Sequence, residues 1–308
     1  MTLKIIGHRG SGRTDNNPFA AGKPPQHTEE SYLKAIADGA DGFEFDIFLT
    51  KDGVPVVIHR KAAEELPISD LNVSEAQALD LPDGQKIMTL EQTLVFLAEL
   101  NQNREGKPPV IVNAELKGPG VARPTCDVIE RVVASHGLDK NVIYFDSLQW
   151  ERLAEMRQID PDAQLMPALS TVRLFNIQAG ASTKDKDYDP LVMRALARFI
   201  KDNDCCGVDV MTGDIRPEMI DLARELNVGF CSYPQGPQQR ENADIMFRNI
   251  GVLAEFAKST RQPVIMKVDD VAATRELAKD ASHQSDNELT ASQIENIERI
   301  MGMHFTQG

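Results

Sequence analysis

Two carboxylates, Glu44 and Asp46, stand two residues apart in the largely apolar segment GFEFDIFLTKDG at 42–53. Because side chains alternate between the two faces of a strand, a strand over this segment points both carboxylates to the same side. The apolar residues around and between them must face a hydrophobic layer such as a covering helix, and these are Phe43, Phe45 and Ile47. The two carboxylates can therefore share one ion.

A third carboxylate, Glu115, follows in the segment VIVNAELKG at 110–118. Burying like charges side by side is costly unless a cation or protons neutralise them. A set of oxygen ligands suits a hard ion such as Mg²⁺ or Ca²⁺ better than Zn²⁺, which favours nitrogen and sulfur. The sequence therefore predicts one divalent cation bound by Glu44, Asp46 and Glu115.

Two histidines occur where strands are expected to end: His8 in GHRG at 7–10, and His59 in VPVVIHR at 54–60. The residues TKDG at 50–53 predict a hairpin turn, in which Asp-Gly is the strongest local signal. The short return strand after this turn brings His59 back to the rim that also carries His8. Two imidazoles facing one cavity could act as a general acid and a general base.

A basic residue accompanies two of these candidate groups. Arg9 directly follows His8, and Lys117 lies two residues after Glu115. A lone ExD pair in a strand is more often a solvated face, and a lone HRG is more often a loop. The combination of all these groups, each at the end of an apolar segment, favours a hydrolytic metal site.

The composition limits the classes of protein to which the chain can belong. The chain has 308 residues, 42% of them hydrophobic, and a net charge of −14, which argues against recruitment of nucleic acid or anionic lipid by a basic surface. There is no apolar stretch of about 18 residues and no signal-peptide pattern, so we expect a cytoplasmic protein without membrane insertion. The four cysteines show no CxxC spacing and are expected to be reduced thiols, mostly buried.

Eight apolar segments predict buried strands with helical patterns between them, which is typical of repeated βα units. The predicted strands are Leu3 to Gly7, Gly42 to Phe48, Pro109 to Leu116, Asn141 to Phe145, Gln164 to Leu169, Gly207 to Val210, Val228 to Tyr233 and Pro263 to Val268. We therefore predict an α/β protein with a single domain over 1–308, a TIM (β/α)8 barrel with a small hairpin after strand 2. Helical spacing within 282–308 predicts an extra C-terminal helix on the outside.

Two long segments, 11–27 and 170–189, follow predicted strands 1 and 5. Both would emerge at the carboxyl ends of the strands, where such barrels keep their active sites. We expect them to act as lids over a small substrate.

The motifs GHRG at 7–10, GADGFEFDIFLTKDGVPVVIH at 39–59 and AELKG at 114–118 resemble the glycerophosphodiester phosphodiesterase family, of the PLC-like phosphodiesterase superfamily of TIM barrels. The resemblance implies a required divalent cation, Mg²⁺ or Ca²⁺. It places the metal ligands on Glu44, Asp46 and Glu115. It also places the base on His8 and the acid on His59, with phosphate contacts assigned as Arg9 and Lys117.

The chain departs from the family pattern in three segments. Where the family usually has PENT before the first helix, this chain reads HTEES at 27–31, with Glu29 and Glu30 taken as the Glu-Asn positions. His59 is followed by Arg60 instead of Asp. The aromatic strand that often contains Trp reads GFCSYPQG, and the only tryptophan is Trp150. These changes concern the choice of substrate.

The resemblance implies hydrolysis of glycerophosphodiesters to glycerol 3-phosphate and an alcohol, a role in lipid and glycerol metabolism. The partner is then a small-molecule phosphodiester, and homo-oligomerisation stays open. Two alternatives remain: a phospholipase D-like enzyme of the same superfamily acting on lysolipids, and a barrel that has lost catalysis and serves as a binding protein. The sequence also leaves open the head group, the preferred metal, which of the two histidines is the base and which the acid, and whether the nucleophile is water or a substrate hydroxyl.

Overall fold

The computed structural model describes residues 2–15, 17–59, 67–81, 84–169, 190–234, 243–280 and 289–301. The predicted lid over 170–189 lies outside these residues, whereas nearly all of the segment 11–27 lies within them. No helix in these ranges is both long enough and apolar enough to span a membrane.

A closed sheet forms the centre of the molecule. The strands of the described chain are β1 (Lys4–Gly7), β2 (Gly42–Leu49), β3 (Pro55–Val57), β4 (Met88–Thr89), β5 (Ile111–Leu116), β6 (Ile143–Ser147), β7 (Gln164–Leu169), β8 (Gly207–Met211), β9 (Gly229–Tyr233) and β10 (Val264–Val268). Eight are parallel, in the order β1, β10, β9, β8, β7, β6, β5, β2, and β1 pairs again with β2. The predicted TIM barrel is confirmed.

The hairpin after β2 is present as predicted. β3 returns antiparallel to β2, with Ile47 opposite Val57, and the chain turns back through Gly53 at a positive φ of 77°. The short strand β4, which the sequence pattern did not predict, adds to β3. The hairpin places His59 two residues beyond the end of β3.

Helices surround the sheet. In the described chain they are α1 (Glu29–Ala37), α2 (Val73–Gln77), α3 (Leu90–Gln102), α4 (Ala122–His136), α5 (Trp150–Ile159), α6 (Pro190–Asp202), α7 (Pro217–Leu226), α8 (Ala243–Ser259), α9 (Val271–Asp280) and α10 (Ala291–Met301). Helix α1 covers the apolar face of β2, where the Tyr32 ring stacks on Phe43 with centroids 4.0 Å apart. This is the hydrophobic layer that the alternation in β2 predicts.

The extra C-terminal helix is α10, and it packs on α8 and α9 outside the barrel. Its buried residues, Ile297 and Ile300, join an apolar cluster that includes Ile5 of β1 and Leu277 of α9. The Asp269 amide also donates to the Ile300 carbonyl at 2.9 Å. Helix α10 therefore holds the chain just beyond the end of β10.

Candidate active site

The three predicted metal-binding carboxylates meet at one edge of the barrel. β2 and β5 pair so that Asp46 lies opposite Glu115. One oxygen each from Glu44, Asp46 and Glu115 lies within 4.8 Å of the others. Glu44 and Asp46 are buried, while Glu115 is partly buried. Three carboxylate oxygens at this spacing are a donor set that fits a hard divalent cation.

The electrostatics of these carboxylates show the cost of placing them together. Burial and the neighbouring Asp46 raise the pKa of Glu44 well above its usual range. Burial also raises the pKa of Glu115, against the attraction of Lys117. The pKa of Asp46 is instead held well below its usual range, despite burial, by Lys117 and by a hydrogen bond with His27. Without a cation, the cluster therefore favours protons on its glutamates.

Lys117 lies at the end of β5 and compensates part of this negative charge. Its Nζ is 2.5 Å from Glu115 Oε1 and 3.3 Å from Asp46 Oδ1. Although burial opposes it, these two carboxylates raise the pKa of Lys117. The side chain is therefore a fixed positive charge beside the three carboxylates.

Arg9 contacts the same carboxylates through both its backbone and its side chain. The residue has a left-handed backbone with φ of 55°, and its amide donates to Glu44 Oε2 at 2.8 Å. Its Nη1 donates to Asp15 Oδ1 and to Gln26 Oε1, each at 3.1 Å. Its buried Nε lies 3.7 Å from Asp46 Oδ2 and makes no hydrogen bond with any part of the chain that the structure describes. Arg9 Nε is a donor that a ligand oxygen could use.

His8 directly follows β1, and its ring is fixed from one side. Its Nδ1 lies 2.9 Å from Asp269 Oδ1, and Asp269 in turn accepts from the Arg13 amide and from Arg13 Nε at 2.9 and 2.7 Å. The other ring nitrogen, Nε2, lies 3.9 Å from Glu44 Oε2. Burial lowers the pKa of His8 to about 3, against the attraction of Asp269. The imidazole is therefore neutral at neutral pH.

His59 reaches the site from the hairpin. Its Nδ1 lies 3.6 Å from Asp15 Oδ2, and its side chain is partly exposed. Although burial opposes it, His59 and Arg9 hold the pKa of Asp15 below its usual range. Each of the two predicted catalytic histidines thus has a carboxylate beside its Nδ1 atom.

All of the predicted site residues line one cavity of about 220 Å³, and these residues are His8, Arg9, Glu44, Asp46, His59, Glu115 and Lys117. They lie on β2 and β5 and on the chain that follows β1, β3 and β5. The cavity opens at the carboxyl ends of the strands, as expected for this barrel.

The structure corrects the interpretation of the segment before α1. Glu29 and Glu30, taken as the Glu-Asn positions, lie exposed in the first turn of that helix. The residues of this segment that reach the site are instead Gln26, whose Oε1 accepts from Arg9 Nη1 at 3.1 Å, and His27, whose Nε2 lies 3.2 Å from Asp46 Oδ2.

His27 was not predicted as a site residue. It is fully buried with a left-handed φ of 58°, and its Nε2 lies 3.2 Å from Asp46 Oδ2. Its amide donates to the Arg9 carbonyl at 3.0 Å. Burial lowers the pKa of His27, so its imidazole is neutral and can donate one hydrogen bond from Nε2 to the Asp46 carboxylate. Carboxylates that bind metal ions are commonly oriented by such hydrogen bonds.

A second charged group lies deeper in the cavity and was also not predicted. Lys267 of β10 donates from Nζ to Asp146 Oδ2 and Asp209 Oδ2, each at 2.6 Å, and to Asn113 Oδ1 at 2.9 Å. All four residues are buried, and Asp146, Asp209 and Lys267 line the cavity. Single charged residues inside apolar strands, as in VIMKV, were the available signal.

Fold and site together define a (β/α)8 barrel with an acidic, histidine-containing cavity at the carboxyl ends of its strands. A scan against protein families matches residues 8–233 to the glycerophosphoryl diester phosphodiesterase family. The chain belongs to this family, which confirms the resemblance drawn from its motifs.

Similar proteins carry related names. A glycerophosphocholine phosphodiesterase from Eremothecium gossypii is 29% identical over 163 residues, 49% of this chain but only 11% of that protein. A glycerophosphodiester phosphodiesterase from Caldanaerobacter subterraneus subsp. tengcongensis is 24% identical over 178 residues, 54% of this chain and 66% of that protein. The structure of an Oleispira antarctica phosphodiesterase in complex with the product sn-glycerol-3-phosphate has the same fold, with a TM-score of 0.61 and 15% sequence identity. The match covers 92% of this chain and 98% of that chain.

Proposed function

We propose that this chain is a metal-dependent phosphodiesterase that hydrolyses glycerophosphodiesters to glycerol 3-phosphate and an alcohol. One observation carries the proposal: clustered carboxylates, the two histidines His8 and His59, and the basic side chains Arg9 and Lys117 line a single cavity. The activity for which the curated relatives are named, and the product bound to the Oleispira antarctica protein, support the same chemistry.

Glu44, Asp46 and Glu115 are the residues that would hold the cation, Mg²⁺ or Ca²⁺. When bound, such an ion supplies positive charge that stabilises the negative charge developing on the phosphoryl oxygens. The three carboxylates and Lys117 together carry a formal charge of −2, which one divalent ion neutralises. This balance, and the raised pKa of Glu44, support a bound cation.

Arg9 and Lys117 bind the phosphodiester anion. Arg9 Nε is a buried donor with no hydrogen-bond acceptor among the described residues, and we infer that a phosphoryl oxygen takes this hydrogen bond. Lys117 adds a compact charge beside the other Asp46 oxygen, Oδ1. A guanidinium holds an oxyanion by directed hydrogen bonds, whereas an ammonium acts more as a point charge.

His8 and His59 move the protons. Neutral His8, with Nδ1 engaged by Asp269, presents Nε2 to the cavity as a base that takes a proton from the attacking hydroxyl. His59 gives a proton to the leaving alkoxide, and its Nδ1 lies 3.6 Å from the Asp15 carboxylate. Each such transfer contributes roughly 100- to 10,000-fold in rate.

The proposal is tested by hydrolysis of glycerophosphocholine after EDTA treatment and after addition of Mg²⁺ or Ca²⁺. We expect metal-dependent release of glycerol 3-phosphate. His8→Gln and His59→Gln should each lose at least about 100-fold in kcat and still bind the metal by calorimetry. The matched control is His136→Gln, because His136 is exposed at the end of α4.

Two results would contradict the proposal. Faster release of choline from lysophosphatidylcholine than from glycerophosphocholine would favour the phospholipase D-like alternative. Absence of hydrolysis over a broad panel of diesters, with metal bound, would favour the binding protein.

An early cyclic phosphate in the time course would identify a substrate hydroxyl as the nucleophile. The cytoplasmic location and the single-domain extent stay predictions.

A further inference from the structure

A groove separates helices α7 and α8 on the outside of the barrel. Elsewhere in the ring of helices, α3 packs on α4 and α4 packs on α5. Helices α7 and α8 instead stand apart and enclose a groove of about 500 Å³. This volume is typical of sites for small molecules. Among the described residues, none that lines the groove also lines the catalytic cavity.

Each helix presents one face to the groove, because the lining residues recur at helical spacing. The residues of α8 that line it are Ile245, Arg248, Asn249 and Val252. These lie three, four and seven positions after the first, and the lining residues of α7 follow the same spacing from Pro217 to Arg224. Residues at this spacing share one side of a helix. The two faces therefore oppose each other across the groove.

The surface between the two faces is largely apolar. Ile220 of α7 is buried, whereas Ile245 and Val252 of α8 are partly exposed and Pro217 is exposed. Water therefore reaches apolar side chains in the groove. A ligand with an alkyl chain gains free energy by removing this surface from water.

The charged residues of the groove leave one positive charge without a partner. Arg216 pairs with Asp214 at 3.4 Å, and Arg224 pairs with Asp221 at 3.3 Å. Arg248 is exposed and forms no ion pair or hydrogen bond with any described residue. Three guanidinium groups against two carboxylates give a formal charge of +1. This local excess stands out on a chain whose net charge is −14.

Apolar surface and a single positive charge together select the chemistry of a ligand. One carboxylate balances the charge of the groove, and a guanidinium binds a carboxylate by two directed hydrogen bonds. A nucleic acid, an acidic peptide or an anionic membrane carries many negative charges, and the rest of this acidic chain repels such partners. The groove therefore suits a small monoanion that has an alkyl chain.

We propose that the groove between α7 and α8 binds the anion of a free fatty acid, with its carboxylate at Arg248 and its alkyl chain along Ile220, Ile245 and Val252. The site itself does not depend on the proposed function, but the two are chemically connected. A glycerophosphodiester is what remains of a phospholipid after both acyl esters are hydrolysed, and each hydrolysis releases a fatty carboxylate. The class of reaction that supplies the substrate thus also releases this ligand.

The first test measures binding to the wild-type protein by calorimetry, at concentrations below micelle formation. The probes are decanoate, hexanoate and decyltrimethylammonium. We expect decanoate to bind at least about tenfold more tightly than hexanoate, since it has four more methylene groups to bury. Decyltrimethylammonium has the same chain but the opposite charge and should show no saturable binding. Equal affinities for decanoate and hexanoate, or tighter binding of the cation, would overturn the inference.

The second test locates the bound decanoate. Arg248→Gln should weaken its binding at least about fivefold, because it removes the charged donor. Ile245→Gln should also weaken it, since an amide then lies along the alkyl chain. The matched control is Arg198→Gln on α6, whose side chain is 84% exposed and lies outside the groove. Circular dichroism shows whether each variant is folded.

Three outcomes of these measurements would each reject the site. The first is decanoate binding that Arg248→Gln and Arg198→Gln reduce equally. The second is displacement of decanoate by glycerol 3-phosphate in the presence of Mg²⁺, which would place it in the catalytic cavity. The third is Arg248-dependent binding to vesicles of phosphatidylglycerol without binding of monomeric decanoate, which would make the groove a membrane contact.

The outcomes also separate this inference from the proposed function. A wild-type protein that binds decanoate as expected but does not hydrolyse glycerophosphocholine contradicts only the proposed function. A wild-type protein that hydrolyses glycerophosphocholine but binds no decanoate contradicts only the groove site.

Discussion

His8 Nδ1 lies 2.9 Å from Asp269 Oδ1, and this contact joins two residues that are 261 positions apart in the chain. His8 directly follows β1 and Asp269 directly follows β10, two strands that are neighbours in the closed barrel. Because Asp269 is ionised and receives two further hydrogen bonds from Arg13, it selects the tautomer of His8 with its proton on Nδ1. The free Nε2 lone pair then faces the cavity.

Asp269→Asn should therefore reduce kcat at least about tenfold with little change in KM, since an amide no longer selects that tautomer. Steady-state kinetics on glycerophosphocholine measure this, with Asp221→Asn on α7 as the control, because the Asp221 side chain is 73% exposed. If Asp269→Asn kept the kcat of the wild type, Asp269 would not position His8.

The binding of the cation should become tighter as the pH rises from 5.5 to 8. Glu44 and Glu115 have raised pKa values without a metal, so protons compete with the cation for the same oxygens. Calorimetry in two buffers of different ionisation enthalpy should detect proton release on metal binding. Glu44→Gln should lose most metal affinity, whereas a variant that binds the metal as well as the wild type would contradict the assigned ligand.

His8 should make the stability of the metal-free protein depend on pH. Its pKa is about 3 in the folded chain and 6.5 for an exposed histidine, so between these values only the unfolded chain takes up the proton. Stability should then fall as the pH falls, by about 2 kcal/mol between pH 7 and pH 5 from this residue. Urea unfolding in EDTA should show a smaller loss in His8→Gln. An equal loss in both proteins would show that His8 is not buried in its neutral form.

Helix α10 should stabilise the barrel. The Ile300 side chain on this helix is fully buried, and the Ile300 carbonyl accepts a hydrogen bond from the Asp269 amide. Ile300→Ala should reduce the free energy of unfolding by about 2 to 5 kcal/mol. The control is Leu33→Ala on α1, which is 47% exposed and should cost less than about 0.5 kcal/mol. A loss no larger than that of the control would show that α10 is detachable.

Some of the site could be predicted from the chain because its signals are local. The two-residue spacing of Glu44 and Asp46 sets their common face, the Asp52-Gly53 turn sets the return of His59, and apolar segments with helical patterns between them indicate a barrel. In such a barrel the carboxyl ends of all strands converge. Side chains at those ends, including His8 and Glu115, are therefore expected to meet.

Tertiary structure alone decided which distant groups complete the site. Nothing near His8 in the chain indicates Asp269, and nothing near Lys267 indicates Asp146 or Asp209, because closure of the sheet brings β10 beside β1 and across from β6. His27 and Asp15 lie on an irregular segment, whose path has no periodicity to read. Strand alternation sets a face locally, whereas a contact between side chains depends on how the strands twist and close.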